Sequence, residues 1–167
     1  MKKILWDDFK KEDLQEKIFL LPTDTVYGFH TLVFKNERGV KKLKELKERE
    51  SEKFIILISS LNDLEKFNIQ LSENQKNFLK KIWPGKVSVI FKNNNDEKFA
   101  FRLPEKEKLR KIISEIGPIY STSANKHGEQ TVSTPNELNN DLKSKINFYI
   151  DEGVLNSSAS TLIEILR

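Results

Sequence analysis

Cysteine is absent from the 167 residues, and histidine occurs only twice, at His30 and His127. The first absence excludes disulfides, thiolate zinc sites and a cysteine nucleophile together. The second argues against a multi-histidine metal centre, so no resident metal is expected. Long apolar runs are missing too: no stretch of the sequence approaches the roughly 20 residues that cross a bilayer. Met1 to Asp8 carries two lysines but lacks the apolar segment of a secretory signal. A cytoplasmic chain with no membrane role is the expectation. Glycine (6) and proline (5) are too sparse and scattered to form a linker, and no repeat is visible, so residues 1–167 are expected to form one domain.

Against these absences stand eleven phenylalanines and many isoleucines and leucines. With 37% apolar and 32% charged residues the chain is polar, yet too rich in large apolar side chains for disorder. The net charge of +4 permits contact with nucleotides or nucleic acid without requiring it, because acids and bases are interspersed.

Short apolar runs predict strands over Lys17–Leu21, Phe54–Ser59, Lys86–Phe91, Phe99–Leu103, Ile119–Ser123, Phe148–Asp151 and Thr161–Leu166. Between them, Asn36–Arg49 places Val40, Leu43 and Leu46 at helical spacing. Ser72 caps a helix over Glu73–Trp83 that Pro84-Gly85 ends, and Gly117-Pro118 closes another over Glu105–Ile116. Shorter helices are predicted over Asp63–Phe67 and Asn136–Lys143. Strands alternating with helices imply an α/β domain. The turn through Asn93, Asn94 and Asn95 makes one pair antiparallel, so a twisted mixed sheet of about seven strands flanked by helices is expected. The polar stretch Asn125–Asn140 is long for a plain connection and reads as a functional loop.

Several motifs could carry chemistry. In Leu21-Pro22-Thr23-Asp24-Thr25-Val26-Tyr27-Gly28 an apolar strand runs into hydroxyls, a carboxylate and a glycine. Strand ends that deliver such groups into a cleft are common ligand sites; a capped turn explains the same residues. Lys47, Arg49 and Lys53 cluster where a long helix gives way to a strand. They suit a polyphosphate or carboxylate, but basic groups at a helix C-terminus also simply complement its dipole. That helix end reads as exposed, so substitutions there should cost little stability. Tyr120-Ser121-Thr122-Ser123-Ala124-Asn125 ends a strand in small hydroxyls that allow close approach of an anion, or forms an ordinary turn. Arg102 at a strand end reads alone as a solvated surface residue, and Ser160-Thr161 as the start of a β-branched strand. Neither histidine has ligand partners in the sequence that would make it a metal site.

In this order and at these separations the motifs resemble the YrdC-like threonylcarbamoyl-AMP synthase family. The similarity runs through Pro22-Thr23-Asp24-Thr25-Val26-Tyr27-Gly28, Lys47 and Arg49, Trp83-Pro84-Gly85, Arg102-Leu103-Pro104, Ser121-Thr122-Ser123-Ala124-Asn125 and Ser160-Thr161. It implies an enzyme making threonylcarbamoyl-adenylate from L-threonine, bicarbonate and ATP, with Mg2+ carried on the phosphates. The product would serve N6-threonylcarbamoyladenosine formation on tRNA by a separate transferase complex. By this resemblance Thr25, Arg102, Ser123 and Ser160 bind threonine or its N-carboxylate. Arg49, Lys53, Asn125 and Ser133 bind ATP. Lys47 and Arg49 act on the phosphates as the catalytic cations, and Thr23, Tyr27 and Ser121 support the cleft. The family usually has glycine where this chain has His30, and serine where it has His127. The alternative is a YrdC-like module that binds RNA or tRNA without synthase activity. Paired hydroxyl motifs are superfluous for that role, and no basic stripe interleaved with aromatics is present.

Overall fold

The computed structural model describes residues 1–48, 54–126, 128–155 and 160–165. They form strands β1 (Lys2–Lys3), β2 (Phe19–Pro22), β3 (Tyr27–Leu32), β4 (Ile55–Leu57), β5 (Val87–Lys92), β6 (Lys98–Arg102), β7 (Ile119–Ser123), β8 (Phe148–Tyr149) and β9 (Thr161–Glu164). The helices are α1 (Glu37–Leu46), α2 (Glu73–Ile82), α3 (Glu107–Ile116) and α4 (Asn140–Lys145), with 3-10 turns over Trp6–Lys11, Leu61–Phe67 and Pro135–Glu137. The strands join one mixed sheet in the order β1-β8-β2-β3-β7-β4-β6-β5-β9. The expected α/β class and mixed sheet are present, with nine strands in place of seven. The two additions are β1, which has only two residues, and β3, whose six residues are all buried.

Local chemistry sets the ends of the elements. Ser72 accepts from the Gln75 amide while the Gln75 side chain accepts from the Ser72 amide, a reciprocal cap that starts α2. Asn139 caps α4 through the Leu142 amide. Gly117 adopts φ +94°, which an L side chain rarely takes, and so stops α3 before Pro118.

Successive side chains on a strand point to opposite faces, and the helices cover these faces unequally. On one face α1 and α4 bring Leu43, Leu46 and Leu142 against Leu20, Tyr27 and Phe29. On the same face α2 and the Leu61–Phe67 turn bring Leu79, Leu64 and Phe67 against Ile56, Val89 and Phe101. On the other face α3 and the Trp6–Lys11 turn lay Leu109, Ile112, Ile113 and Phe9 over Phe19, Leu21, Leu57 and Ile119. This second cover stops short. Beyond it, further residues of that same face, among them Gly28, Ser121, Ser123 and Arg102, line a cleft of about 260 Å3.

Candidate functional site

The cleft is lined by residues from separate parts of the chain: Thr23 and Thr25 in the β2–β3 turn, Arg102 ending β6, Ser121 and Ser123 on β7, and Ser160 preceding β9. Antiparallel pairing puts Gly28 opposite Ser123 and His30 opposite Ser121. Parallel pairing puts Leu57 opposite Arg102.

The β2–β3 turn is held by Thr23. Its hydroxyl donates to the Val26 carbonyl at 2.7 Å and accepts from the Thr25 and Val26 amides. A hydroxyl has one proton, so in the 2.9 Å pair between Thr23 Oγ1 and Thr25 Oγ1 it is Thr25 that donates. Thr25 therefore turns toward the cleft as an acceptor.

Arg102 is buried, with only 3% of its surface exposed, contrary to the reading of a lone strand-end arginine as solvated. Its Nη1 donates to Asp24 Oδ1 and, at 3.2 Å, to the Gly85 carbonyl; Nη2 lies 3.5 Å from Thr25 Oγ1. Asp24 Oδ2 accepts from the Glu105 amide. One carboxylate thus ties the β2–β3 turn to the end of β6 and fixes the guanidinium at the cleft wall. A guanidinium has more donors than these contacts use.

Lys47 follows α1 and is also buried, with 5% of its surface exposed. The expected exposed helix end is therefore corrected. Its ammonium donates to the Ser123 and Asn125 carbonyls, both at 3.0 Å, and to Asn125 Oδ1 at 2.6 Å. Ser123 Oγ donates to the same Asn125 Oδ1, and Asn125 Nδ2 donates to the Glu129 carbonyl. Lys47 is brought against Ser123, as the motif order predicts, and braces the turn after β7 from behind.

On the opposite wall, Ser160 Oγ lies 2.9 Å from the buried Ser88 Oγ, and the Thr161 amide donates to the Lys86 carbonyl. Four expected residues among those described do not line the cleft: Lys47 and Asn125, bonded to each other at the turn after β7, and Tyr27 and Ser133. Tyr27 is fully buried in the apolar layer on the far face. Its hydroxyl donates to the Gly153 carbonyl and accepts from the Glu152 amide, so it fastens residues 152–153 and does not line the cleft. Burial, foremost, pushes its pKa up. Ser133 does not line the cleft either; its amide donates to Glu137 and its carbonyl accepts from Leu155. Arg49, Lys53 and His127 lie outside the described residues.

Sequence reading assigned no role to Asp24, Ser88 or His30. Asp24 lies within the quoted threonine motif, and a carboxylate between two threonines was its only signal. His30 is fully buried, with Nε2 2.9 Å from Ser121 Oγ. Burial, and then the charge of Arg102, lower its pKa to about 3; the neighbouring Gly28 and Phe19 carbonyls oppose this weakly. The imidazole is thus neutral at physiological pH.

Fold and site together define an α/β protein whose half-covered mixed sheet opens a small cleft of converging hydroxyls beside a buried arginine. The chain belongs to the Sua5/YciO/YrdC family, whose model, described as "Telomere recombination", matches residues 14–167. Over 173 residues it is 31% identical to a Methanocaldococcus jannaschii protein named "Putative threonylcarbamoyl-AMP synthase", covering 98% of this chain and 81% of that protein. It is 30% identical over 151 residues to the threonylcarbamoyl-AMP synthase of Bacillus subtilis, covering 83% of this chain but only 43% of that one. The chain thus spans less than half the length of the Bacillus subtilis relative. A doubly substituted Sua5 from Pyrococcus abyssi has the same fold, with a TM-score of 0.82 and 26% identity, covering 97% of this chain and 52% of that one.

Proposed function

We propose that the protein is a threonylcarbamoyl-AMP synthase, joining L-threonine, bicarbonate and ATP into threonylcarbamoyl-adenylate with release of pyrophosphate and water. The observation that carries this reading is the cleft itself, where a buried arginine stands among hydroxyls of the types a small amino-acid anion needs. The relatives' names supply the substrate class.

Threonine's amine captures bicarbonate as a carbamate, losing water. A carbamate oxygen then attacks the α-phosphorus of ATP, forming a P–O bond as the bond to pyrophosphate breaks. No protein nucleophile is needed; catalysis is positioning and charge stabilisation. Arg102 receives the carboxylate or carbamate, and the Thr25, Ser123 and Ser160 hydroxyls orient the amino acid. Thr23 and Ser121 support this wall. Lys47, with Arg49 and Lys53, offsets the repulsion between the two anions, and the family resemblance assigns Asn125 and Ser133 to ATP, although neither lines the cleft. Mg2+ carried on the ATP phosphates would supply charge neutralisation there. The described residues hold no cluster of three or more His, Cys, Asp or Glu for a metal, so phosphate oxygens and water would be its ligands.

The adenylate is a mixed anhydride open to hydrolysis, so it passes to a separate transferase that modifies tRNA. The proposed site of action is the cytoplasm, where a tRNA-modifying transferase would take up the adenylate.

The test is pyrophosphate release by purified protein with ATP, bicarbonate and a panel of amino acids. Threonine supports bicarbonate-dependent release and valine does so poorly, because a site built around the substrate hydroxyl rejects an analogue that lacks it. Equal rates with both amino acids, or release without bicarbonate, would overturn the assignment.

A further inference from the structure

Among the described residues, one buried side-chain polar atom makes no hydrogen bond, Nδ1 of His30. The ring lies directly beneath the cleft wall. A Cβ built on Gly28, which lines the cleft, would come within 2.8 Å of His30 Cε1 and 3.0 Å of Nε2. The other ring nitrogen, Nε2, lies 2.9 Å from the hydroxyl of Ser121, which also lines the cleft.

We infer that His30 is a positioning residue for the amino-acid site: it donates Nε2–H to Ser121 Oγ and thereby turns the Ser121 hydroxyl proton into the cleft as a donor to the substrate's anionic group. This rests on the function proposed above. A neutral imidazole carries its proton on only one nitrogen. The Gly28 and Phe19 carbonyls lie near the ring, but neither meets Nδ1 at hydrogen-bonding distance and angle, so a proton on Nδ1 would be a buried N–H without a partner, whereas a bare Nδ1 is an unsatisfied acceptor. Orphaned buried N–H groups are the rarer of the two. The proton therefore belongs on Nε2, where Ser121 is its acceptor. Ser121, having accepted, keeps its own proton for a partner on the open side, and the cleft is the open side. With Arg102 across the cleft, the donor faces a place suited to negative charge. Thr25 and Ser123 point the other way: each spends its proton inside the protein, on Thr23 and on Asn125 Oδ1. The wall thus holds acceptors from Thr25 and Ser123 and a donor from Ser121, which matches a ligand with both an ammonium or hydroxyl and a carboxylate.

With only two histidines in the chain, long-range 1H–15N correlation of uniformly labelled protein reads the tautomer directly, and it does so with or without catalysis. The expected spectrum has one imidazole in the Nε2–H form, unchanged between pH 5 and pH 8 and lost in His30→Leu. An Nδ1–H tautomer, or titration of this ring near its ordinary value, would overturn the inference. In steady state, His30→Leu should raise KM for threonine roughly tenfold with little change in KM for ATP. His30→Gln, whose amide nitrogen reaches the Nε2 position, should restore most of it. Addition of Ser121→Ala to His30→Leu should cost little more than either alone. An unchanged KM for threonine in a folded His30→Leu, or full additivity with Ser121→Ala, would refute the coupling. If the wild type were inactive with threonine, the function would fall while the spectrum still decided how Ser121 is oriented.

Discussion

Replacing Asp24 with alanine strands a buried guanidinium. Both side chains of the Arg102–Asp24 pair are less than a tenth exposed, and the remaining contacts of Arg102, to Gly85 O and Thr25 Oγ1, are neutral and longer. Removing one partner of such a pair costs about 3–5 kcal/mol, because the remaining charge stays desolvated with nothing opposite it. The Glu105 amide also loses its acceptor, but it lies at an exposed position where water can replace it. For a domain of this size about 1 kcal/mol shifts Tm by about 2–4 °C. Asp24→Ala should therefore melt roughly 6–20 °C below wild type at pH 7. Asp24→Asn keeps the volume and an acceptor for Glu105 and loses the charge, so it should fall between. Scanning calorimetry measures both. The guanidinium left unpaired in Asp24→Ala lines the cleft and also becomes a receptor for carboxylates, so acetate or threonine should raise its Tm more than that of wild type. A Tm for Asp24→Ala within about 2 °C of wild type would refute the reasoning, since it would mean that Arg102 already shares its charge with water.

Lys47→Met removes the hydrogen bonds to the Ser123 and Asn125 carbonyls and to Asn125 Oδ1 from a side chain that is nearly inaccessible. It should cost about 1.5–3 kcal/mol in urea unfolding and reduce adenylate formation by more than the unfolded fraction explains; an unchanged midpoint would show the ammonium to be dispensable to the turn. Acid stability should depend on His30, whose pKa falls to about 3 in the fold. Below the ordinary value near 6.5 the unfolded chain binds a proton that the native state refuses. This group therefore removes stability as pH falls toward 3, by about 1.4 kcal/mol per pH unit. The stability difference between wild type and His30→Leu should accordingly shift in favour of the variant by about 2 kcal/mol between pH 7 and pH 5. A pH-independent difference would contradict the buried neutral imidazole.

What was legible in the sequence follows from where the physics is local. Residues Ile119–Ser123 were read as a strand with the same bounds as β7, because Gly117-Pro118 stops the helix before it. The Asn93 turn was equally plain: Asn93 Oδ1 accepts from the Asn95 and Glu97 amides two and four residues on. Strand β3 was missed because all six of its residues are buried. A strand covered on both faces shows no alternation, and its glycine and histidine look like loop. At the site, the motif order anticipated that Thr25, Arg102, Ser121, Ser123 and Ser160 share one cleft. The burial of Lys47 was not legible. At the level of the helix its position looks solvated, and only the meeting with β7 encloses it. Asp24 and Arg102 pair across elements far apart in the chain, which no local pattern records.

Among the described residues strand β9 has a single neighbour, β5, and sits at the rim of the sheet with Leu162 exposed. A strand held on one side, with Ile163 only partly buried against the core, opens at a lower free energy than the middle of the sheet. Ser160 stands at its start, joined to the sheet through Ser88 and followed by the Thr161 amide bond to Lys86. The other walls of the cleft are set in the interior: β7 is paired on both sides, and Arg102 is pinned by Asp24. The cleft therefore has walls of unequal lifetime. The side bearing Arg102, Ser121 and Ser123 opens only with the middle of the sheet, while the side bearing Ser160 requires only the separation of β9 from β5.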